Sequence, residues 1–389
     1  MRGTALINLQ ARFLTISAVI IDEYSMVKSL DLYWVHRRLQ QALKNELPFG
    51  GIPICLVGDP GQLPPVAGLP LWSRRTSKGT PLSGNVLQGH LLYFGITTVM
   101  KLTDILRQQG QFQEICLRLR NGLTTSADWE YLMQNCTEQN MTQDKIEKFH
   151  SPECIWLYTT NADNNKHNAK QLIKTNQPVA LVEAKHDSNR SKLKATESAR
   201  KLSSRLYLTR GSKIMLLWNV CLSVGLVNGA TGVIVDFIYE NGQNAPNLPY
   251  AIIIQFNEYK GPPFFSGDGK EKWVPILAEE YKWGDSNKEE HYRIQFPICL
   301  AWALTVWKSQ GLTINGLLAF QLGDTEKEHG ITFVGLSRST DINKVSLCGG
   351  CSLERLTTKI SQGTKLKLRL KEDERLDVLH AKTLLHFHS

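Results

Sequence analysis

The stretch Ala18-Val-Ile-Ile-Asp-Glu-Tyr-Ser-Met26 constrains this chain more than any other. A continuous apolar run, three of its four residues β-branched, predicts a fully buried parallel strand. Asp22 and Glu23 then fall at the carboxyl end of that strand, where open α/β sheets bind ligands. Paired carboxylates there suit Mg²⁺-dependent phosphoryl chemistry, with Asp22 holding the metal through water and Glu23 orienting or deprotonating the attacking water. Taken alone, the pair is equally well an acidic turn that ends a strand.

The residues downstream of Met26 narrow the choice. Ser29 to Lys44 has helical spacing, with Leu32, Val35, Leu39 and Leu43 on one face. Ile52 to Val57 predicts a second buried strand, running into Gly58-Asp-Pro-Gly-Gln-Leu-Pro-Pro65. Glycine and proline hold that loop in set conformations, on the sheet edge that carries Asp22 and Glu23. A stiff loop bearing Asp59 and Gln62 beside a metal site can sense a γ-phosphate, although the same residues also make ordinary turns. Residues 68–95 read as irregular. Helices are predicted over Phe112–Arg120 and near Ser126–Gln134. A second α/β unit starts with a strand at Pro152–Thr160 and a helix from Asn161 through Leu172. Short strands and turn clusters over 231–296 suit a small all-β insert. The tail from 353 supports no more than a short amphipathic helix or a mobile end.

A length of 389 residues and 42% hydrophobic content allow two or three domains with real cores. No apolar run approaches the roughly 18 residues of a membrane span, and Met1-Arg-Gly-Thr4 opens no signal peptide. The eight scattered cysteines fit reduced thiols, since only Cys348 and Cys351 form a Cys-x-x-Cys. The net charge of +9 is uneven: Thr160–Lys213 holds 12 Lys+Arg against 4 Asp+Glu, whereas Thr231–Pro297 holds 6 against 10. The basic segment is a candidate for a nucleic-acid backbone; taken by itself it reads better as a solvated, partly mobile loop around Lys185–Arg205.

In order and spacing, the segments resemble the Pif-one-type, RecD-like helicases of superfamily one. The matching pieces are Ile20–Met26, Phe49–Gly51, Leu56–Val66, Leu106-Arg-Gln108, Leu119-Arg-Asn-Gly122 and Thr160-Asn161, together with Gly225–Gly229, Ala301–Thr313 and Phe333–Arg338. They span about residues 5–350. The resemblance implies an α/β fold of two RecA-like lobes with parallel sheets. The first, over 1–140, would be incomplete; the second would take 141–230 plus 297–352, with a small β-barrel-like insert at 231–296 and a charged tail at 353–389. ATP and Mg²⁺ are the implied cofactors.

By the same resemblance Asp22 (the metal, via water) and Glu23 match the acidic pair that works on ATP. Gln62 matches the glutamine that couples the γ-phosphate to DNA. Arg107 and Arg338 match arginines that reach the γ-phosphate, as planar, always-charged guanidiniums can. Gln310 and Gly311 fall in the motif that meets the nucleotide, while Thr305, Lys308 and Ser309 fall where it meets the DNA backbone. Pro64, Pro65, Asn161, Asn228 and Gly229 are further DNA-contact candidates. Trp307 stands where the family usually carries His, which puts one polar or DNA contact in doubt.

The implied activity is an ATP-dependent DNA helicase that moves 5′ to 3′ on single strands and opens duplex or quadruplex junctions in repair, recombination and telomere or genome maintenance. Such a protein is expected in the nucleus or mitochondrion, monomeric and off the membrane. A phosphate-cradling Gly-x-x-x-x-Gly-Lys-[Ser/Thr] loop belongs upstream of the first strand, and the 21 residues before Asp22 contain none. The expectation is therefore a product truncated at its N-terminus, with impaired ATPase and apolar sheet surface left uncovered. The alternatives are a non-catalytic nucleic-acid-binding remnant, a mobile-element helicase copy, or a RecA-fold ATPase acting on RNA.

Overall fold

The computed structural model describes residues 3–284, 290–357 and 363–387. It divides into two units. The first comprises Met1–Ile146, Ser309–Asn315 and Phe320–Ser389; the second comprises Glu147–Lys308 and Gly316–Ala319. No helix among the described residues is long and apolar enough to cross a membrane.

In the first unit, strands Val19–Ile21 and Ile54–Leu56 pair in parallel, with Ile20 opposite Cys55. The helix Ser29–Leu43 lies between them in sequence, and its Leu32 and Leu39 enter a core with Tyr24, Phe49, Leu71, Trp72 and Tyr93. Val19, Ile21, Ile54 and Leu56 pack on that core. The expected burial on both faces is not found. Successive strand residues point to opposite sides, so Ile20 and Cys55 turn away from the core, and Ile20 is 72% exposed. Parallel pairing is legible from the apolar run; a one-sided sheet is not.

Residues 68–95 are not wholly irregular, because Gly84–Phe94 is a helix. It crosses the Ser29–Leu43 helix at Gly89, where a Cβ would come within 1.7 Å of the Ser29 carbonyl oxygen. The helix Gly110–Asn121 buries Phe112, Ile115, Cys116 and Leu119, the spacing read from sequence, and stops at Gly122 with φ 66°. Helix Ser126–Cys136 starts from a reciprocal cap between Thr125 and Asp128. The tail forms a 24-residue helix, Thr364–Phe387, whose buried side chains include Arg369 and Glu372.

In the second unit, Ile155–Tyr158 pairs in parallel with Ala303–Thr305. The helix Asn161–Lys174 packs beside them. Its buried Asn168 exchanges two hydrogen bonds of 2.9 Å with the Ala303 backbone. An antiparallel sheet runs in the order Trp273–Leu277, Ala251–Phe256, Thr231–Ile238, Lys213–Leu216, Ile298–Leu300, over a core that includes Ile214, Ile252, Ile254, Phe256 and Phe296. Three of its strands fall within 231–296, and Lys213–Leu216 and Ile298–Leu300, outside that range, belong to the same sheet. A further sheet pairs Glu279–Gly284 with Glu290–Gln295, and the latter with Lys185–His186. The buried Arg293 guanidinium donates to the carbonyls of Leu202, Ser191 and Lys194 at 2.7–2.8 Å. The basic stretch is thus pinned at three backbone points instead of hanging in solvent. All eight cysteines are free.

Candidate functional site

The strand Val19–Ile21 delivers Asp22 and Glu23 at its carboxyl end. Asp22 is exposed, and its Oδ1 accepts the Glu23 backbone N–H at 2.8 Å. Glu23 sits in the left-handed region, φ 53° and ψ 45°, just before the short 3₁₀ turn Tyr24–Met26. Glu23 is half-buried, unlike Asp22.

Four of the expected residues converge on Glu23 within the first unit. The Gln310 side-chain amide donates to Glu23 Oε2 at 2.9 Å and to Ser25 Oγ at 3.1 Å. Gly311 takes φ 82°, and a Cβ there would lie 3.6 Å from Glu23 Oε1. Arg107 Nε donates to Thr313 Oγ1 at 3.1 Å, and its Nη1 to the Ser337 carbonyl at 3.2 Å. Arg338 is 2% exposed; it donates to the Val334 and Leu312 carbonyls and to Ser337 Oγ.

The electrostatics of the two arginines are unusual. Neither guanidinium bonds a carboxylate among the described residues. Burial, then the neighbouring Arg107, pushes Arg338 down to about 10, while Glu23 pulls the other way. Burial also lowers Arg107, and Glu23 opposes it. Two partly desolvated cations thus face Glu23, with a weaker pull from Asp59 on Arg338, and an anionic ligand would add the negative charge that burial makes them short of.

The loop Gly58–Gln62 lies on the same edge. Gly58 takes φ 147°, and a Cβ there would come within 2.9 Å of the Tyr24 backbone nitrogen. The Asp59 carbonyl accepts the Gln62 N–H at 3.0 Å, and its Oδ1 accepts the Gly61 N–H at 2.8 Å. Gln62 Oε1 and Gln310 Oε1 are buried with no partner among the described residues. Two orphaned acceptors call for donors, such as waters, that the described residues do not supply, since buried polar atoms are otherwise paired. Pro64 is half-exposed and Pro65 is buried.

Ser309 is fully buried in this unit. Thr305, Lys308, Asn161, Asn228 and Gly229 belong to the second unit. Thr305 ends a strand and is buried. Lys308 is half-buried near the buried Cys299 thiol, which burial pushes up and Lys308 draws back. Asn161 opens its helix with an exposed side chain, and the preceding Thr160 caps that helix through the Asp163 N–H. The exposed Asn228 is held by its N–H on Asn219 Oδ1 at 2.8 Å, and Gly229 takes φ 93°, which favours glycine. Trp307 is half-buried.

Sequence reasoning passes over Gln108 and Ser25. Gln108 is buried and donates to the Ser337 and Ser339 carbonyls at 2.8 and 2.7 Å, bracing the turn that presents Arg338. Its adjacency to Arg107 is the available signal.

The family model for PIF1-like helicase matches residues 5–130. The chain is 27% identical over 332 residues to the human ATP-dependent DNA helicase PIF1, covering 85% of this chain and 46% of that one. It is 25% identical over 347 residues to ATP-dependent DNA helicase Pif1 of Bdellovibrio bacteriovorus, covering 88% and 68%. The chain therefore spans about half the length of the human relative. Among solved structures, Pif1 helicase from Candida albicans matches with TM-score 0.66 at 22% identity, over 94% of this chain and 78% of that one. The Bacteroides Pif1 helicase in complex with ADP-AlF3 and single-stranded DNA also gives TM-score 0.66 at 22% identity, over 96% and 78%. At that identity the structures speak to the fold, which is the α/β, RecA-like architecture expected. In its ordered motifs and in its fold, this chain is similar to the PIF1-like helicases.

Proposed function

We propose that the chain is the motor portion of an ATP-dependent DNA helicase that couples ATP hydrolysis to 5′–3′ movement on single-stranded DNA and duplex opening. The observation that carries the reading is the convergence of Arg107 and Arg338 on Glu23 with no carboxylate among the described residues bonded to either guanidinium. Glu23, held by Gln310, would orient or deprotonate an attacking water. Arg107 and Arg338 would neutralise charge on transferring phosphoryl oxygens, a role worth roughly 10³–10⁵ in rate where it has been measured. Gln62, on the stiff loop, would sense the γ-phosphate. Mg²⁺ typically keeps several waters and takes one or two carboxylates plus phosphate oxygens. Asp22 and Glu23 meet that requirement, with Asp22 the holder through water. When bound, Mg²⁺ supplies charge neutralisation across the phosphates.

Lys308 would track the DNA backbone without reading sequence, together with Asn161, Asn228, Gly229 and Pro64; Thr305 and Ser309, expected to join them, are buried and not free to do so in this structure. The second RecA-like lobe would take 141–230 plus 297–352. Junctions of duplex or quadruplex DNA, action as a monomer, and residence in the nucleus or mitochondrion complete the proposal.

A second reading is a nucleic-acid binder without turnover, favoured by the basic stretch Thr160–Lys213 with its 12 Lys+Arg against 4 Asp+Glu. The test is therefore binding before hydrolysis. Fluorescence anisotropy of a labelled oligo-dT is measured with and without Mg²⁺ and a non-hydrolysable ATP analogue. A nucleotide-dependent change in affinity that Arg338→Lys abolishes supports the motor. Salt-sensitive DNA binding indifferent to nucleotide favours the second reading, and tighter binding to RNA than to DNA overturns both.

A further inference from the structure

The C-terminal helix Thr364–Phe387 is wired by charge to the Gly58–Gln62 loop. Arg120, in the last turn of helix Gly110–Asn121, stands between them. Its Nη2 and Nε donate to Asp59 Oδ1 at 2.5 and 3.0 Å, and its Nη1 donates to Asp373 Oδ2 at 2.9 Å. Arg369 closes the cluster: its Nη1 donates to the same Asp373 oxygen at 2.5 Å, and its Nη2 donates to the Arg120 carbonyl. Arg120, Asp59 and Asp373 keep 19%, 27% and 18% of their side-chain exposure, and Arg369 keeps 2%. The group is electrically balanced and largely removed from water, so no member can be neutralised without stranding another charge.

Asp59 is where this wiring meets the site. The carboxylate held by Arg120 also accepts the Gly61 N–H, and the Asp59 carbonyl holds the Gln62 N–H. Arg120 lies flat on the loop, so that a Cβ at Gly61 would come within 2.5 Å of Arg120 Nε. On its other side, a Cβ at Gly330 would come within 3.0 Å of the Gly61 carbonyl oxygen. The loop is clasped between the two.

A second line runs from the same helix to the Glu23 turn. Glu372 Oε1 accepts the Tyr93 hydroxyl at 2.5 Å and is bonded by Arg375. The Tyr93 ring lies 6.1 Å from that of Tyr24, the residue after Glu23. Further along, Asp377 pairs with Lys101 at 2.5 Å and Thr383 Oγ1 accepts the Val99 N–H at 3.0 Å, neither of them near the site.

We propose that Asp373 and Arg120 are positioning residues: through Asp59 they fix the Gly58–Gln62 loop, making the C-terminal helix a working part of the γ-phosphate sensor. The sensing role of Gln62 rests on the function proposed for this site; the positioning of the loop does not.

The experiment compares Asp373→Asn with Asp377→Asn in the full chain. Both variants cut one anchor of the same helix, but only the first anchor reaches the loop. Amide hydrogen exchange of peptides covering 58–62 is expected to speed up at least tenfold in Asp373→Asn and to stay within twofold of wild type in Asp377→Asn, with Asp373→Glu restoring protection. In parallel, the factor by which the Mg²⁺–ATP analogue changes oligo-dT affinity should fall severalfold in Asp373→Asn alone. Unchanged exchange at 58–62 in Asp373→Asn, or equal opening in both variants, overturns the proposal. If Asp373→Asn does not fold, Arg120→Lys, which keeps the charge but loses the fork, is judged by the same criteria. A wild-type chain that shows no coupling defeats the nucleotide reading, and the exchange result then decides the positioning alone.

Discussion

Gln310 donates its side-chain amide to the Glu23 carboxylate at 2.9 Å, across 287 positions of sequence. The bond ties the strand-end acid to a motif near the far end of the chain. It also fixes the carboxylate by an uncharged donor. Replacing Glu23 by Gln keeps the shape and removes the base. We expect affinity for a fluorescent ATP analogue to stay within about twofold, while any single-strand-stimulated hydrolysis falls by about 10²-fold or more. A coupled phosphate-release assay reads this, and hydrolysis undiminished by the substitution would exclude Glu23 as the base.

The two arginines should separate when each is truncated. Arg107 is half-exposed, so Arg107→Ala should cost less than about 1 kcal/mol of unfolding free energy yet weaken the ATP analogue about tenfold or more, the scale of a lost charge-assisted bond. Arg338→Ala empties a buried site and removes the donors to the Leu312 and Val334 carbonyls and to Ser337 Oγ, leaving the last two only their bond to each other. It should lower unfolding free energy by roughly 2–4 kcal/mol. Urea titration and isothermal calorimetry on both variants check the contrast, and equal unfolding midpoints would refute it.

Lys308 offers a test of backbone contact. If it neutralises one phosphate, Lys308→Ala should reduce the slope of log affinity against log salt by about 0.7 for a single strand, uniformly across sequences. An effect confined to one oligonucleotide sequence would contradict a phosphate role.

His167 supplies a pH dependence. It bonds Tyr158 and lies 4.9 Å from the Trp156 ring. Burial, with Lys174, Lys170 and His150 nearby, lowers it from the usual 6.5 to about 4. The folded state therefore resists protonation that the unfolded chain accepts. The contribution is present above about pH 6.5 and is lost as pH falls from there towards 4. Allowing for solvent screening of a half-buried ring, it amounts to roughly 1–2 kcal/mol. Unfolding at pH 7.5 and pH 5.0 should show it, and His167→Gln should flatten that part of the difference.

Much of the site is legible in the sequence because its chemistry is carried by residue types at strand ends: two carboxylates after Ile21, a Gly-Pro loop after Val57, and arginines in short fixed contexts. The Gln310–Glu23 bond is not legible, since no local pattern encodes a contact over that distance. The helix at Gly84–Phe94 is hidden by Gly, Pro and Ser on its N-terminal side and by a glycine whose purpose is close approach to Ser29. The C-terminal helix is hidden for a different reason. Its Lys-Leu-Lys-Leu-Arg-Leu start alternates with period two, and its buried side chains include Arg369, Glu372 and Thr383. Hydrophobic periodicity cannot announce an element that docks through charge. The strand Val19–Ile21 reads as buried throughout because Ile20 is as apolar as its neighbours; composition does not say which faces of a sheet receive a covering layer.

The left-handed backbone at Glu23 has a consequence for how this protein responds to selection. A side chain with a Cβ costs roughly 1 kcal/mol or more in that region, and Gly or Asn tolerates it far better. Glu23 is thus a place where folding and chemistry pull apart. A library screened for heat resistance alone should discard the glutamate early, in favour of Gly or Asn. The same library screened for nucleotide-dependent DNA binding or hydrolysis should hold on to it, so position 23 can serve as an internal gauge of which pressure a population has felt.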